Sequence, residues 1–269
     1  PVEACMWLFA VLVLAMPLLG LALTSLVSGY GVVLSAATAT LDNYRFVLFE
    51  HAAAGRAFVN SAWLSALAAI FAVVVAVPIG YLVAWGGGGR WIRLLSLVVE
   101  LPYALPGVVL AIAALLLFLR PVPFVGLQLY NTPWIILYAY MARFLVLALR
   151  PAVSGYHQID RALEEAAQVA GAGLFTRMRT IVFPLVAPAA IAGGLLIFMT
   201  ALGELTVSAL LWSSGSETIG VVMFSFEQGG DSGYAAAMSM ITVALTFALM
   251  LLANLLAPYL PDGVLPWRD

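Results

Sequence analysis

Six long apolar runs constrain this chain more than any other feature of its sequence. They are Met6 to Leu26, Phe58 to Trp85, Leu94 to Leu119, Trp134 to Leu149, Ala187 to Leu211 and Tyr234 to Leu260. A helix needs about 20 apolar residues to cross about 30 Å of hydrocarbon. Of the 269 residues, 64% are hydrophobic and 9% are charged, against roughly 25% charged in an ordinary soluble domain. So little charge argues against a soluble enzyme, and so much apolar surface excludes a disordered chain. The first run has no basic residue before it and no clear small-residue cleavage site, so it reads as a span rather than a signal peptide. The expectation is an all-α membrane protein of six transmembrane helices, occupying residues 1–269 as one domain.

Missing residues exclude several chemistries. Every basic residue is an arginine. Without lysine there is neither a standard phosphate-binding P-loop nor Schiff-base chemistry. The single cysteine, Cys5, excludes an internal disulfide or a multi-cysteine metal site. His51 and His157 fit no zinc spacing and read as solvated loop residues. A net charge of −2 leaves no electrostatic footprint for nucleic acid. We therefore expect no cofactor, no metal and no catalytic residue. The start at Pro1 rather than Met reads as processing or as part of a longer polypeptide.

Basic residues favour short cytoplasmic loops. Placing the polar segment 150–180 inside puts Arg90, Arg93, Arg150, Arg161, Arg177, Arg179 and Arg268 there, leaving Arg45, Arg56 and Arg120 outside. Both termini are then cytoplasmic. The loop from Trp212 to Gly233 carries Glu217, Glu227 and Asp231 and no base, which suits the outer side.

Between the fourth and fifth runs the chain reads LEEAAQVAGAGLFTRMRTIVFPLVAP from Leu163 to Pro188. Asp160 to Ala170 forms a good helix, with acidic residues in its first turn where the helix dipole favours them. Gly171 and Gly173 end or bend it. Leu174 to Val182 is a second short amphipathic helix, and Pro184 and Pro188 mark the entry to the fifth span. The small residues Ala166, Ala167 and Gly171 let another protein approach closely.

This stretch resembles the EAA loop of ABC importer permeases. The motif is Glu-Ala-Ala, three residues, Gly, nine residues, Ile, one residue, then usually Leu-Pro. Here it falls on Glu165, Ala166, Ala167, Gly171, Ile181 and Pro184, preceded by Glu164, with Phe183 replacing the usual Leu. The segments LDNYRFVL, LPYALPGVVLAIAALLLF and GELTVSALLWSSGSETIGVVMFSFEQGGDSGYAAAMSM extend the likeness over roughly residues 40 to 260, the last looking most like ferric-iron permeases. Thiamine, polyamine and aminoalkylphosphonate permeases share similar stretches. The resemblance implies a non-enzymatic transport subunit in a bacterial inner membrane, with a cytoplasmic coupling loop at about 150–186. It also implies four partners: an ABC ATPase subunit, as a dimer, a periplasmic binding protein, a second permease half, fused or separate, and the lipid bilayer. Two six-span halves are often fused in the iron and thiamine groups, and this chain resembles the second half.

Charged groups within spans are costly and are usually paired or functional. Glu204, with Thr206 and Ser208, has two readings: a translocation path, or a buried carboxylate bonded to a neighbouring helix. Pro102, Tyr103 and Pro106 either break the third span and open a polar backbone surface, or only kink it; a kink is expected. Asn60 and Ser61 read as a cap on the second span. Glu100 and Arg143, each six residues from a cytoplasmic span end, lie at matching depths of about 9 Å at 1.5 Å per residue, which makes them candidates for an ion pair; the alternative is that Arg143 snorkels to the inner headgroups and leaves Glu100 unpaired. The rival class is an ion-coupled secondary transporter using Glu100 and Glu204. It offers no reason for the EAA spacing.

Overall fold

The computed structural model describes residues 2–29, 31–87, 89–122 and 126–256, together with Pro258 and Val264. Arg268 and the end of the sixth apolar run at 259–260 lie outside the described residues, as does Gly88 of the glycine turn. The described residues are mainly helical and divide into two compact units, Pro1–Asn60 with Ser214–Met250, and Ser61–Ser213 with Leu251–Asp269.

The longer helices are α1 (Val2–Ser25), α2 (Ala52–Trp85), α3 (Arg90–Ala104), α4 (Gly107–Phe118), α5 (Pro133–Gln158), α6 (Arg161–Val169), α7 (Leu174–Leu202), α8 (Ile219–Gln228) and α9 (Ser232–Leu256), with short helical turns at Asp42–Arg45, Phe46–Glu50 and Ser208–Leu211. Five of them, α1, α2, α5, α7 and α9, are long and apolar enough to cross a membrane. The sixth span exists only if α3 and α4 count together, and these are bent by 110° at residues 105–106. The third run is therefore a broken helix rather than a kinked one. Pro106 has no N–H to continue the helix, and both Leu105 and Pro106 adopt extended backbone. Gly107 then opens α4 in a space where a Cβ would collide with the side chains of Thr206 and Arg143.

Two boundaries also differ from the sequence expectation. The fifth helix begins at Leu174, so the second amphipathic stretch is its first part and not a separate helix. A π-helical turn at Met178–Val182 makes this possible: the Phe183 N–H bonds back to the Met178 carbonyl, so the helix absorbs Pro184, which has no N–H to give. The same helix ends at Leu202 rather than Leu211. The acidic segment 212–233 is not a plain loop, because it contains α8, whose Ile219, Val221, Val222 and Phe226 are buried.

In the second unit α5 packs along α7 through small residues. A Cβ on Gly155 would lie 3.2 Å from the Ala189 Cβ, and one on Gly193 would lie 2.6 Å from the Ala148 backbone. Lipid offers no hydrophobic drive between helices, so close backbone approach through small residues is what joins them. Tyr140, Tyr156, Ile135 and Ile136 of α5 fill the core beside this seam.

In the first unit, His51 is no solvated loop residue. Its Nδ1 accepts from the Ala54 N–H at 3.2 Å, capping α2, and its ring lies 4.9 Å from Phe226 and 5.4 Å from Phe46. Asn60 sits two turns inside α2 and is not a cap; its amide donates to the carbonyls of Gly215 and Glu217 at 3.0 and 2.9 Å. The Glu217 carboxylate accepts from Arg56 at 3.2 Å and from the Gly215 N–H at 3.1 Å. Burial pushes this carboxyl up, but the Arg56 and backbone hydrogen bonds outweigh burial and hold it below its ordinary value of 4.5. A depressed folded value means stability present above the ordinary carboxylate range and lost as pH falls through the folded one. The detergent-solubilised protein is expected to lose thermal stability on acidification from about pH 5 to about pH 3. Glu217→Gln should start lower at neutral pH and show a flatter profile. A variant with the wild-type profile would remove this carboxylate from the account.

Candidate functional site: the α6 hairpin

The EAA-like residues form a hairpin. Asp160 caps α6, its carboxylate accepting from the Ala162 N–H at 2.9 Å. The helix ends where Gly171 turns with φ +83, a conformation that glycine adopts at no steric penalty. The chain then reverses into α7. None of the α6 residues is buried. Glu165, Ala166 and Gly171 are exposed, Ala167 and Ile181 are half-buried, and Pro184 is exposed. The exposed surface includes Leu163, Val169, Leu174 and Phe175, with Val169 at 91% and Phe175 at 78%. An apolar rim of this kind, flanked by small residues, suits a protein partner.

The two adjacent glutamates behave differently. Glu164 turns inward and accepts from Arg177 Nη1 at 3.0 Å and from the Tyr81 hydroxyl at 2.7 Å. Arg177 also donates to Gln168 at 3.3 Å. Arg161 donates to the Ala84 carbonyl at 3.4 Å, and its guanidinium stands 5.6 Å from the Trp85 ring centre. Sequence reasoning missed Tyr81, Trp85 and Arg177. The first two are four residues apart on one helix face at the end of the second run, a signal available in principle. Nothing local ties Arg177 to Glu164 thirteen residues earlier.

The polar residues proposed for a path form a second cluster. Glu204 is 9% exposed and lies beyond the end of α7. Its carboxylate accepts from the Thr206 hydroxyl and from the Val207 N–H, the latter at 2.9 Å, so it caps the turn that follows it. These carboxylate bonds lie within its own turn rather than on a neighbouring helix; Tyr140 of α5 reaches its carbonyl, at 3.4 Å. Ser208 is buried and donates to that same carbonyl at 2.7 Å. Thr206 is exposed and accepts from Arg143 at 3.3 Å. Tyr103 is 45% exposed near the break after α3.

The candidate Glu100–Arg143 pair is not among the ion pairs of the described residues. Glu100 faces Arg150 instead, at 3.7 Å, with both side chains substantially exposed. Arg150 lies seven residues, or two turns, along the same helix face as Arg143. Matching depths by counting from span ends assumed a straight third span, and the 110° break removes that assumption. Arg143 is engaged with Thr206.

The family model described as the binding-protein-dependent transport system inner membrane component matches residues 76–264, and the chain belongs to that family. It is 32% identical to the probable ABC transporter permease protein y4fN of Sinorhizobium fredii, over 89% of this chain and 42% of that protein. It is 27% identical to the putative 2-aminoethylphosphonate transport system permease protein PhnV of Salmonella choleraesuis, over 80% of this chain and 79% of that one. It is 29% identical to the Fe(3+)-transport system permease protein FbpB 2 of Haemophilus influenzae, over 67% of this chain and 34% of that one. The chain thus spans well under half of the Sinorhizobium and Haemophilus proteins. Its fold matches a chain in the crystal structure of a bacterial ABC transporter that imports the acidic polysaccharide alginate, with a TM-score of 0.73 at 16% identity, over 96% of this chain and 93% of that one.

Proposed function

We propose that this chain is a permease subunit of an ATP-driven importer, carrying substrate from periplasm to cytoplasm through the inner membrane. It performs no bond chemistry. A separate ATPase docks on the α6 hairpin, a periplasmic binding protein delivers the cargo to the outer loops, and a second permease half completes the path. The observation that carries this reading is the EAA spacing falling on a helix, glycine turn and helix whose first arm buries no residue. In the docked complex Glu165, Ala166, Ala167 and Gly171 meet the ATPase, while Ile181 and Pro184 shape the second arm. Ferric iron is the cargo we favour, on the likeness of the segment from Gly203 to Met240 to iron permeases and of the whole to the Haemophilus protein. An aminoalkylphosphonate is the second reading, favoured by the match to the Salmonella protein. Glu204, Thr206, Ser208 and Tyr103 remain the path candidates, with Glu204 acting on the path through the turn it caps.

This reading places both termini and the hairpin in the cytoplasm and residues 212–218 outside. With Cys5→Ser as background, a membrane-impermeant thiol reagent applied outside should label the Ser214→Cys variant and spare the Ala170→Cys variant. Both positions are exposed. The opposite pattern would invert the topology and take the hairpin away from any cytoplasmic ATPase.

A further inference from the structure

Helix α6 buries no residue, so hydrophobic packing does not hold it. Its polar attachments within the second unit go to two places: Arg177 at the start of α7, and the last turn of α2. Tyr81, Ala84 and Trp85 lie at positions i, i+3 and i+4, one face of that helix. Tyr81 donates to Glu164 at 2.7 Å, the Ala84 carbonyl accepts from Arg161 at 3.4 Å, and the Trp85 ring sits under the Arg161 guanidinium. Behind this face the packing is close. Tyr156 of α5 donates to the Val77 carbonyl at 2.9 Å, and its ring meets Tyr81 and Trp85 edge-on with centres 6.1 and 5.3 Å apart. Gly80 makes room for it, since a Cβ there would come within 3.0 Å of the Tyr156 ring.

The Glu164 and Arg177 side chains are each 13% exposed. An exposed ion pair rearranges at little cost and transmits little. A desolvated pair with further hydrogen bonds to both partners holds one geometry, and loss of a single partner is strongly felt. Tyr81 supplies that bond to Glu164, and Gln168 supplies it to Arg177.

We propose that Glu164 and Tyr81 are positioning residues that pass displacement of α6 sideways to the inner end of α2, a route separate from the chain connections to α5 and α7. The proposal rests on the functional reading above and adds to it the path of transmission. The neighbouring glutamates divide the work: exposed Glu165 faces the partner, and inward Glu164 carries the movement into the permease.

The test uses the assembled complex with its ATPase, in a Cys5→Ser background. Leu82→Cys, at the inner end of α2 and outside the clamp, reports movement through its labelling rate with and without ATP. Leu82 is 45% exposed on an apolar span, so the labelling reagent is a small membrane-permeant maleimide. Tyr81→Phe removes one oxygen and keeps the ring contacts with Trp85 and Tyr156. A hydrogen bond to a charged group biases a two-state equilibrium about tenfold. The ATP-dependent change in labelling should therefore fall about tenfold in Tyr81→Phe while the retained ATPase stays at the wild-type amount. Glu164→Gln keeps the Tyr81 bond but leaves Arg177 without its counter-charge, and should fall at least as far. An undiminished change in Tyr81→Phe, or no ATP-dependent change in the Tyr81 parent, overturns the proposal and leaves the functional reading standing. Equal loss of ATPase from both variants also overturns it, because a merely structural contact would do that. A wild-type complex that retains no ATPase overturns the functional reading and this inference with it.

Discussion

Replacing Gly193 with valine is expected to remove most of the folded protein from the membrane. A Cβ at this position would lie 2.6 Å from the Ala148 Cα and 2.6 Å from the Leu147 carbonyl oxygen, both backbone atoms of α5. No rotamer change relieves that contact, so α5 and α7 must separate. Overpacking a well-packed core usually costs about 1–3 kcal/mol, and more when backbone must move. Separation also opens the neighbouring contact between Gly155 and Ala189, and lipid supplies no compensating hydrophobic drive. Even Gly193→Ala should lower the thermal stability of the solubilised protein, with valine far below it. Gly203, at the end of α7 with open space around its Cβ position, is the control, and Gly203→Ala should leave the membrane level near wild type. Wild-type levels of the Gly193→Val protein would mean that α5 and α7 do not meet as described.

Charge reversal on the hairpin should leave the protein in the membrane and stop its work. Glu165 is exposed on a helix with no buried residue, so Glu165→Lys disturbs no internal contact. In a docked complex it puts the wrong charge into a desolvated contact, a change worth about 2–5 kcal/mol at protein interfaces, or about thirtyfold or more in affinity. Gly171→Arg should be at least as severe, because it adds bulk and also forces an arginine into a φ of +83. The two variants therefore separate causes: Glu165→Lys tests docking alone, and Gly171→Arg tests docking with the turn. We expect normal membrane levels of Glu165→Lys with little or no retained ATPase. Transport at the wild-type rate in both variants would remove the hairpin from the docking site.

The spans were legible because bilayer crossing leaves a long, one-dimensional signal in hydropathy. The hairpin was legible because its cap, its glycine turn and its small residues are local in sequence. What escaped was contact at a distance. Pro102 and Pro106 permit a kink or a break, and the break goes with Gly107 seated against Thr206 and Arg143, residues contributed by two other elements. Depth alone matches Glu100 to Arg143, and its pairing with Arg150, two turns along the same helix, leaves no signal in that count. The Arg56–Glu217 pair joins residues 161 positions apart and left no pattern to read. The end of α7 two residues before Glu204 was hidden because Ala187 to Leu211 is a single apolar run.

Energy source is what divides an ABC permease from the ion-coupled rival. The most direct measurement is uptake of ferric iron, presented on its binding protein, into proteoliposomes holding this chain, its second permease half and the ATPase. Omission of ATP, omission of the ATPase and collapse of the ion gradients are tested in turn. The account predicts uptake that stops without ATP or without the ATPase and continues when the gradients are collapsed. Uptake that persists without the ATPase and stops when an ion gradient is collapsed would contradict it.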